Sequence, residues 1–272
     1  MVYEVVNLYR EKKRSKQNTP GKLPKNEDAN LEDYKRTLIS FNNGGSWRPL
    51  SPPSFDASGR PLSCVGCSLH LFIDSTHLIQ GAVAPKTALG LIVAHGNVGN
   101  SLSHVNIGVY VSSDGGISWN HARDGLHRMA LGNHGGIVLL ADASKPTRTL
   151  LYSYDHGKKF DSVTFSPEGQ EVTVTSLKSD HSNPGSIKFF LSGLKHTQNG
   201  VKGVALIIDL SHNNLPECRL IERPGTKNSD YEYFEIRPTN SSECTLGSKN
   251  TYVKKRPTAN CRVNNSDGFI AL

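Results

Sequence analysis

No apolar run in the sequence approaches the roughly 20 residues that a membrane-spanning helix requires. Met1 leads straight into Val2, Tyr3, Glu4, Val5 and Val6, without the apolar core of a secretory signal. Long helical periodicity is also missing, which sets aside helical bundles and coiled coils. Methionine and tryptophan are scarce, 2 of each in 272 residues, and hydrophobic residues make up 36%, so a core must be assembled from many short strands. Cysteine is sparse and odd in number at five, which in an oxidising compartment leaves one thiol seeking a partner. No histidine pair has compact ligand spacing with a third cysteine or carboxylate, so neither a metal nor another cofactor is expected.

Turn formers are abundant, with 25 Gly and 14 Pro. Apolar or alternating runs bounded by Gly, Asn, Asp and Ser recur at residues 89–95, 105–112, 136–141, 149–154, 172–177, 187–191 and 204–210. The fold class they predict is all-β.

One pattern recurs at an interval of about forty residues. It reads Ser112, Asp114, Gly116, Trp119 and again Ser153, Asp155, Gly157, Phe160, with a weaker copy in Ser40, Asn42, Gly44 and Trp47. This is the Asp-box spacing: Ser, one residue, Asp, one residue, Gly, two residues, then a large aromatic. A short carboxylate can accept hydrogen bonds from N–H groups a residue or two further on, while glycine supplies a positive φ. The aromatic then begins the next strand and packs between sheets. These Asp residues are expected to hold turns and to do no chemistry. A period near forty matches one four-stranded propeller blade, and the runs amount to about three to four blades. An open arc of blades leaves strand edges exposed and depends on neighbours for buried surface, so a piece of a longer precursor is expected.

The organisation predicted is a leading strand and basic polar linker over residues 1–35, propeller blades over 36–216, and a cysteine-rich segment over 217–272. Cys64 and Cys67 lie three residues apart in a loop, whereas Cys218, Cys244 and Cys261 fall in the last part. Asn240 and Asn264 each begin an N-glycosylation sequon. The net charge of +7 raises the question of nucleic acid. Much of the excess sits in the first 25 residues and at Lys254, Lys255 and Arg256, where solvated linkers account for it, and no aromatic stacking surface is interleaved. No nucleic-acid partner is expected.

Several ordered motifs resemble one family. The stretch Ala88, Leu89, Gly90, Leu91, Ile92, Val93, Ala94, His95, Gly96, Asn97, Val98, Gly99, the box ending at Trp119, and Asn133, His134, Gly135, Gly136, Ile137 are similar to late blades of the vacuolar protein sorting ten domain of sortilin-type receptors. Cys67, Ser68, Leu69, His70, Leu71 and then Cys244, Thr245, Leu246, Gly247, Ser248, Lys249 follow in the family's order, as do Lys254, Lys255, Arg256, Pro257 and Cys261. The tail resembles most the sortilin-related receptor and fungal branches. The resemblance runs from about residue 36 to about residue 269.

It implies the last blades of a ten-bladed propeller followed by the start of a small cysteine-rich module. It also implies disulfides Cys64–Cys67 and Cys218–Cys261, with Cys244 pairing to a cysteine beyond Leu272. Two departures stand out: Lys159 occupies a place where sortilin-type members have a cysteine, and residues 10–30 are basic and polar where an inner strand is expected. The implied function is the luminal or extracellular part of a type I transmembrane sorting receptor. Such receptors carry protein or propeptide cargo between Golgi, endosomes and vacuole or lysosome. Cytosolic adaptors and the membrane are engaged through a tail and a transmembrane helix absent from this sequence. In sortilin a basic residue on a middle blade holds a ligand's C-terminal carboxylate; that blade lies upstream, and no ligand-binding residue is assigned.

Five of the 11 histidines fall between residues 95 and 134, namely His95, His104, His121, His127 and His134. Imidazoles gain charge between a neutral and an acidic lumen, which makes His127 and His134 candidates for a pH switch. The competing class is an Asp-box glycosidase of sialidase type. Tyr231, Glu232 and Tyr233 offer a tyrosine beside a carboxylate, but no arginine triad accompanies them.

Overall fold

The computed structural model describes residues 4–9, 35–167, 170–180, 182–198, 200–211, 215–219, 223–235 and 251–263. Residues 10–30, Asn240, Cys244 and Asn264 lie outside them. The described residues form sixteen strands and one short 3-10 turn, with no α-helix among them.

Five antiparallel sheets follow in chain order. The first joins β1 (Glu4–Tyr9), β2 (Lys35–Ser40) and β3 (Arg48–Pro49). The second is a meander of β4 (Ser68–Leu71), β5 (Ile92–Gly99), β6 (Gly108–Ser112) and β7 (Asn120–Asp124). The third repeats it with β8 (His127–Gly132), β9 (Ile137–Asp142), β10 (Thr149–Ser153) and β11 (Asp161–Thr164). The fourth has three strands, β12 (Thr173–Ser179), β13 (Lys188–Thr197) and β14 (Gly200–Asp209). A two-stranded ribbon, β15 (Tyr231–Phe234) and β16 (Tyr252–Lys255), closes the described chain.

Side-chain alternation explains how the first four sheets stack. Successive residues of a strand point to opposite faces. Along β5, Ile92 and Ala94 join Ile39, Leu50, Leu69, Leu71, Tyr110 and Trp119 in one core. Their neighbour Val93 joins Val109, Val111, Met129, Leu131, Val138 and Leu140 in a second. Along β9, Val138 and Leu140 belong to that second core, whereas Ile137, Leu139 and Ala141 join Leu150, Val174, Leu177, Phe189 and Leu191 in a third. Each middle sheet is therefore buried on both faces and shared between two cores, as blades of a propeller are. The leading strands lie at one side of this stack, with β2 beside β4 and β8 beside β12. The architecture is an all-β partial propeller followed by a disulfide-containing region.

Candidate functional site

The three Asp-box turns share one geometry. The Ser112 hydroxyl donates to Asp114 Oδ1 at 2.8 Å and accepts from the Gly116 N–H at 2.8 Å. Ser153 does the same with Asp155 at 2.7 Å and Gly157 at 2.8 Å, and Ser40 with Asn42 at 3.1 Å and Gly44 at 2.8 Å. Gly44, Gly116 and Gly157 have φ of 84°, 92° and 80°, a region that disfavours residues with a Cβ. The carboxylates reach further along the chain than the one or two residues expected from the sequence. Asp114 accepts from the Ser118 N–H, and Asp155 from the N–H groups of Lys158 and Lys159 at 2.9 Å each. The reason is that the left-handed glycine folds the following residues back over the acid. Trp119 is buried in the first core, with its indole N–H donating to the Gly116 carbonyl, whereas Trp47 and Phe160 are half-buried. The guanidinium of Arg123 lies 5.3 Å from the Phe160 ring centroid.

Two of these turns receive a lysine from the last ribbon. Lys254 Nζ donates to the Ser113 carbonyl at 2.6 Å, and Lys255 Nζ to the Tyr154 carbonyl at 2.7 Å. Both carbonyls belong to the residue between the serine and the acid of a box. The expectation that Lys254 and Lys255 are solvated linker charges is thus overturned: they are 6% and 4% exposed. Long aliphatic stems let both cross the interface while their charged ends meet oxygen. Burial lowers the pKa of each, that of Lys255 to about 8, with Asp155 and Asp230 opposing the shift. Phe234 packs in the same place against Gly90, where a Cβ would meet its ring at 2.7 Å. Asn133 completes the attachment by exchanging two hydrogen bonds with Val263, at 2.8 and 2.7 Å.

Cys218 and Cys261 are bonded within a small core of Tyr231, Ala259 and Val263. Cys64 and Cys67 are bonded in the loop before β4.

Histidines occupy the junctions between blades. His70 Nδ1 accepts the Thr37 N–H at 3.1 Å, and its Nε2 lies 3.1 Å from the Gly99 carbonyl, so the ring joins β2 to the second sheet as the Nε2–H tautomer. His95 makes the next link: Nε2 accepts the His127 N–H at 3.0 Å, and Nδ1–H faces the Gln80 carbonyl at 3.0 Å. Gln80 adds a strand-like pair of bonds to Met129, 2.8 Å each. Neutral rings are built into both junctions, and burial lowers the pKa of His70 and brings that of His95 to about 4. The two histidines singled out from sequence are not brought together. His127 opens β8, and His134 sits beyond its far end in a left-handed turn at φ 53°. Burial lowers the pKa of both below the ordinary value. His70 was missed from sequence because nothing local marks a partner 33 residues away.

A cleft of about 550 Å³ opens where β8, β12 and the loop after β4 meet. Consecutive residues from each segment line it, Arg128 to Leu131 on β8 and Thr175 to Ser179 on β12. Consecutive lining residues mean that strand edges, rather than single faces, border the space. Arg128 and Lys178 are its charged residues, and no carboxylate is among the lining side chains.

Over the described residues, sheets sharing cores face to face, turned by Asp boxes and latched to a ribbon beside the Cys218–Cys261 disulfide, define an all-β repeat protein of the Asp-box propeller class. Residues 14–177 match the family model described as "Sortilin, neurotensin receptor 3", and residues 181–268 match the model for its C-terminal part. The chain belongs to the sortilin–Vps10 family. It is 33% identical over 83% of its length to vacuolar protein sorting/targeting protein 10 of Aspergillus terreus, covering 16% of that protein. The same-named protein of Talaromyces stipitatus is 32% identical over 87% of the chain, with 16% of the relative covered. That of Blastomyces gilchristii is 30% identical over 90%, with 18% covered. The chain thus spans less than one fifth of the length of these relatives.

Proposed function

We propose that this chain is a luminal portion of a sorting receptor that carries protein cargo between Golgi, endosomes and vacuole or lysosome. Membership of the sortilin–Vps10 family over most of the chain is the observation that carries the reading. In the longer receptor, residues 36–216 act as propeller blades and 217–272 begin a cysteine-rich module. The Asp boxes and the two disulfides hold shape, Cys244 pairs outside this sequence, and Asn240 and Asn264 carry glycans. Membrane anchoring and adaptor binding belong to other parts of that receptor. The glycosidase alternative draws little support, since Tyr231 is buried and Glu232 lies 3.7 Å from Lys254.

The test is to disrupt the gene in the cells that express it and measure the secretion of soluble vacuolar or lysosomal hydrolases. Mis-secretion, restored by the intact gene, is expected. Unchanged hydrolase delivery together with a location outside the Golgi–endosome system overturns the reading. Turnover of a generic sialoside by the purified chain favours the glycosidase instead.

A further inference from the structure

We propose that the Cys64–Cys67 bond, besides fixing its turn, is a site of thiol–disulfide exchange with small thiols of the glutathione class. The bond opens and closes at the surface while the blades stay folded. This chemistry does not depend on the receptor reading, because it is read on the purified chain.

Three observations converge. The first is access. Cys64, Val65 and Gly66 are exposed, and Cys67 is half-buried. A Cβ placed on Gly66 meets no atom within 4 Å, so a thiolate finds open space on that side of the turn. Exchange needs such an approach, since the attacking sulfur must reach a disulfide sulfur directly. Neither of these cysteines belongs to a hydrophobic core, whereas Cys218 and Cys261 are 6% and 3% exposed within one.

The second is isolation. The Cα atoms of Cys64 and Cys67 are 5.6 Å apart, within the span of a β-turn, and Gly66 at φ 75° supplies its left-handed residue. Among the described residues, no backbone hydrogen bond joins the two ends of this turn. The preceding loop closes earlier, with the Leu62 N–H donating to the Ser54 carbonyl at 2.9 Å. Pairing resumes at β4, where Ser68 faces Gly99 and the Leu69 N–H donates to the Leu50 carbonyl at 3.0 Å. Opening the bond therefore frees the turn between Leu62 and Ser68 and leaves the sheet held.

The third is ring size. A link between residues 3 apart removes little entropy from the unfolded chain, so it adds little to the stability of the fold. Linkage is reciprocal, and the fold in turn does little to keep that bond closed. Cys218–Cys261 spans 43 residues inside a buried core and is reinforced by the fold on the same reasoning.

In the forward step a thiolate attacks Sγ of the more exposed Cys64. The Cys64–Cys67 bond breaks, its electron pair leaves on Cys67, and that thiolate takes a proton from water. Cys64 then carries a mixed disulfide. A second small thiolate attacks the small-thiol sulfur of that bond and releases Cys64. Two small thiols are thereby oxidised to their disulfide, and the protein disulfide gains two electrons. In the reverse direction Cys67 is the resolving thiol, which closes the ring and expels the small thiol.

The test uses the purified chain with Cys244→Ser, which removes the odd thiol. It is equilibrated in glutathione buffers of rising thiol-to-disulfide ratio, quenched in acid and alkylated, and both bonds are scored by peptide mass spectrometry. Cys64–Cys67 is expected to be half open at a squared-thiol to disulfide ratio at least about tenfold below that which opens Cys218–Cys261. Tryptophan fluorescence should keep its folded value at that point. In the same background, Cys67→Ser treated with oxidised glutathione is expected to retain one glutathione on Cys64, which an intact Cys67 expels. Both bonds opening at one ratio, or Cys64–Cys67 opening last, overturns the proposal. So does an opening that occurs only with loss of the folded fluorescence, or a folded Cys67→Ser chain whose Cys64 stays unmodified. Should Cys67→Ser fail to fold, the titration with Cys67 in place decides alone.

Discussion

Asp155 collects three hydrogen bonds on one oxygen, from the Ser153 hydroxyl and from the N–H groups of Lys158 and Lys159. Asp155→Ala removes the acceptor of all three bonds at once and is expected to cost about 1–3 kcal/mol in urea denaturation. Asp155→Asn keeps an acceptor oxygen in place, as Asn42 does in the first box, and should lose less than half as much. Equal losses for both variants would show that the carboxylate charge, not its geometry, matters. These turns were legible in the sequence because every partner lies within four residues of the acid. The junction rings were not. His95 was visible as a histidine in a cluster, but its partners Gln80 and His127 are 15 and 32 residues away, and only the stacking of sheets makes them neighbours.

At the scale of elements, burial decided what sequence could show. Runs with an apolar face became β5, β6, β9, β10, β12, β13 and β14, shifted by a few residues at their ends. The outermost strands β7 and β11 escaped notice, because β7 has one buried residue in five and β11 has none, so no alternation marks them. The ribbon β15–β16 was hidden for another reason. Its Lys254 and Lys255 look like solvent charges until the Asp-box carbonyls that receive them are in view. Lys255→Met keeps the stem but leaves the Tyr154 carbonyl unbonded, which predicts a loss of about 1–3 kcal/mol in attachment of the ribbon. Limited proteolysis should then cut within residues 217–263 sooner than in the parent, while the blades resist as before. Opening the Cys218–Cys261 bond by a double Cys→Ser change removes a cross-link over 43 residues. Roughly 4 kcal/mol is expected from the chain-entropy relation. Guanidinium titration followed by fluorescence of the ribbon's tyrosines would read it.

Across the whole molecule, buried neutral histidines recur along the stack. His70 joins the first and second sheets, His95 joins the second and third, and His156 lies in the last Asp box beside Lys255. Burial brings His95 to about 4 and His156 to about 3, with the nearby lysine charges adding to the second shift, and it lowers His70 and His127 as well. A base whose folded pKa lies below its unfolded value near 6.5 takes up protons more readily when unfolded. Stability therefore rises with pH between the two values and falls as the medium acidifies. For His95 alone the loss on going to pH 5.5 is about 1–1.5 kcal/mol. The environment of that ring supplies no carboxylate to reverse the sign, since the facing charges are Arg128 and, once protonated, His127. The depressed carboxylates Asp56 and Asp209 give up their stabilisation only below the ordinary carboxylate range, outside this window. Urea midpoints measured at pH 7.5 and 5.5 should therefore differ, with the acidic sample less stable. His95→Gln, weaker at both pH values, should narrow the gap between them. A gap of unchanged width would show that the junction ring is not what acid acts upon, and stability that stays flat or rises on acidification would exclude the buried histidines as the acid-sensitive joints of the stack.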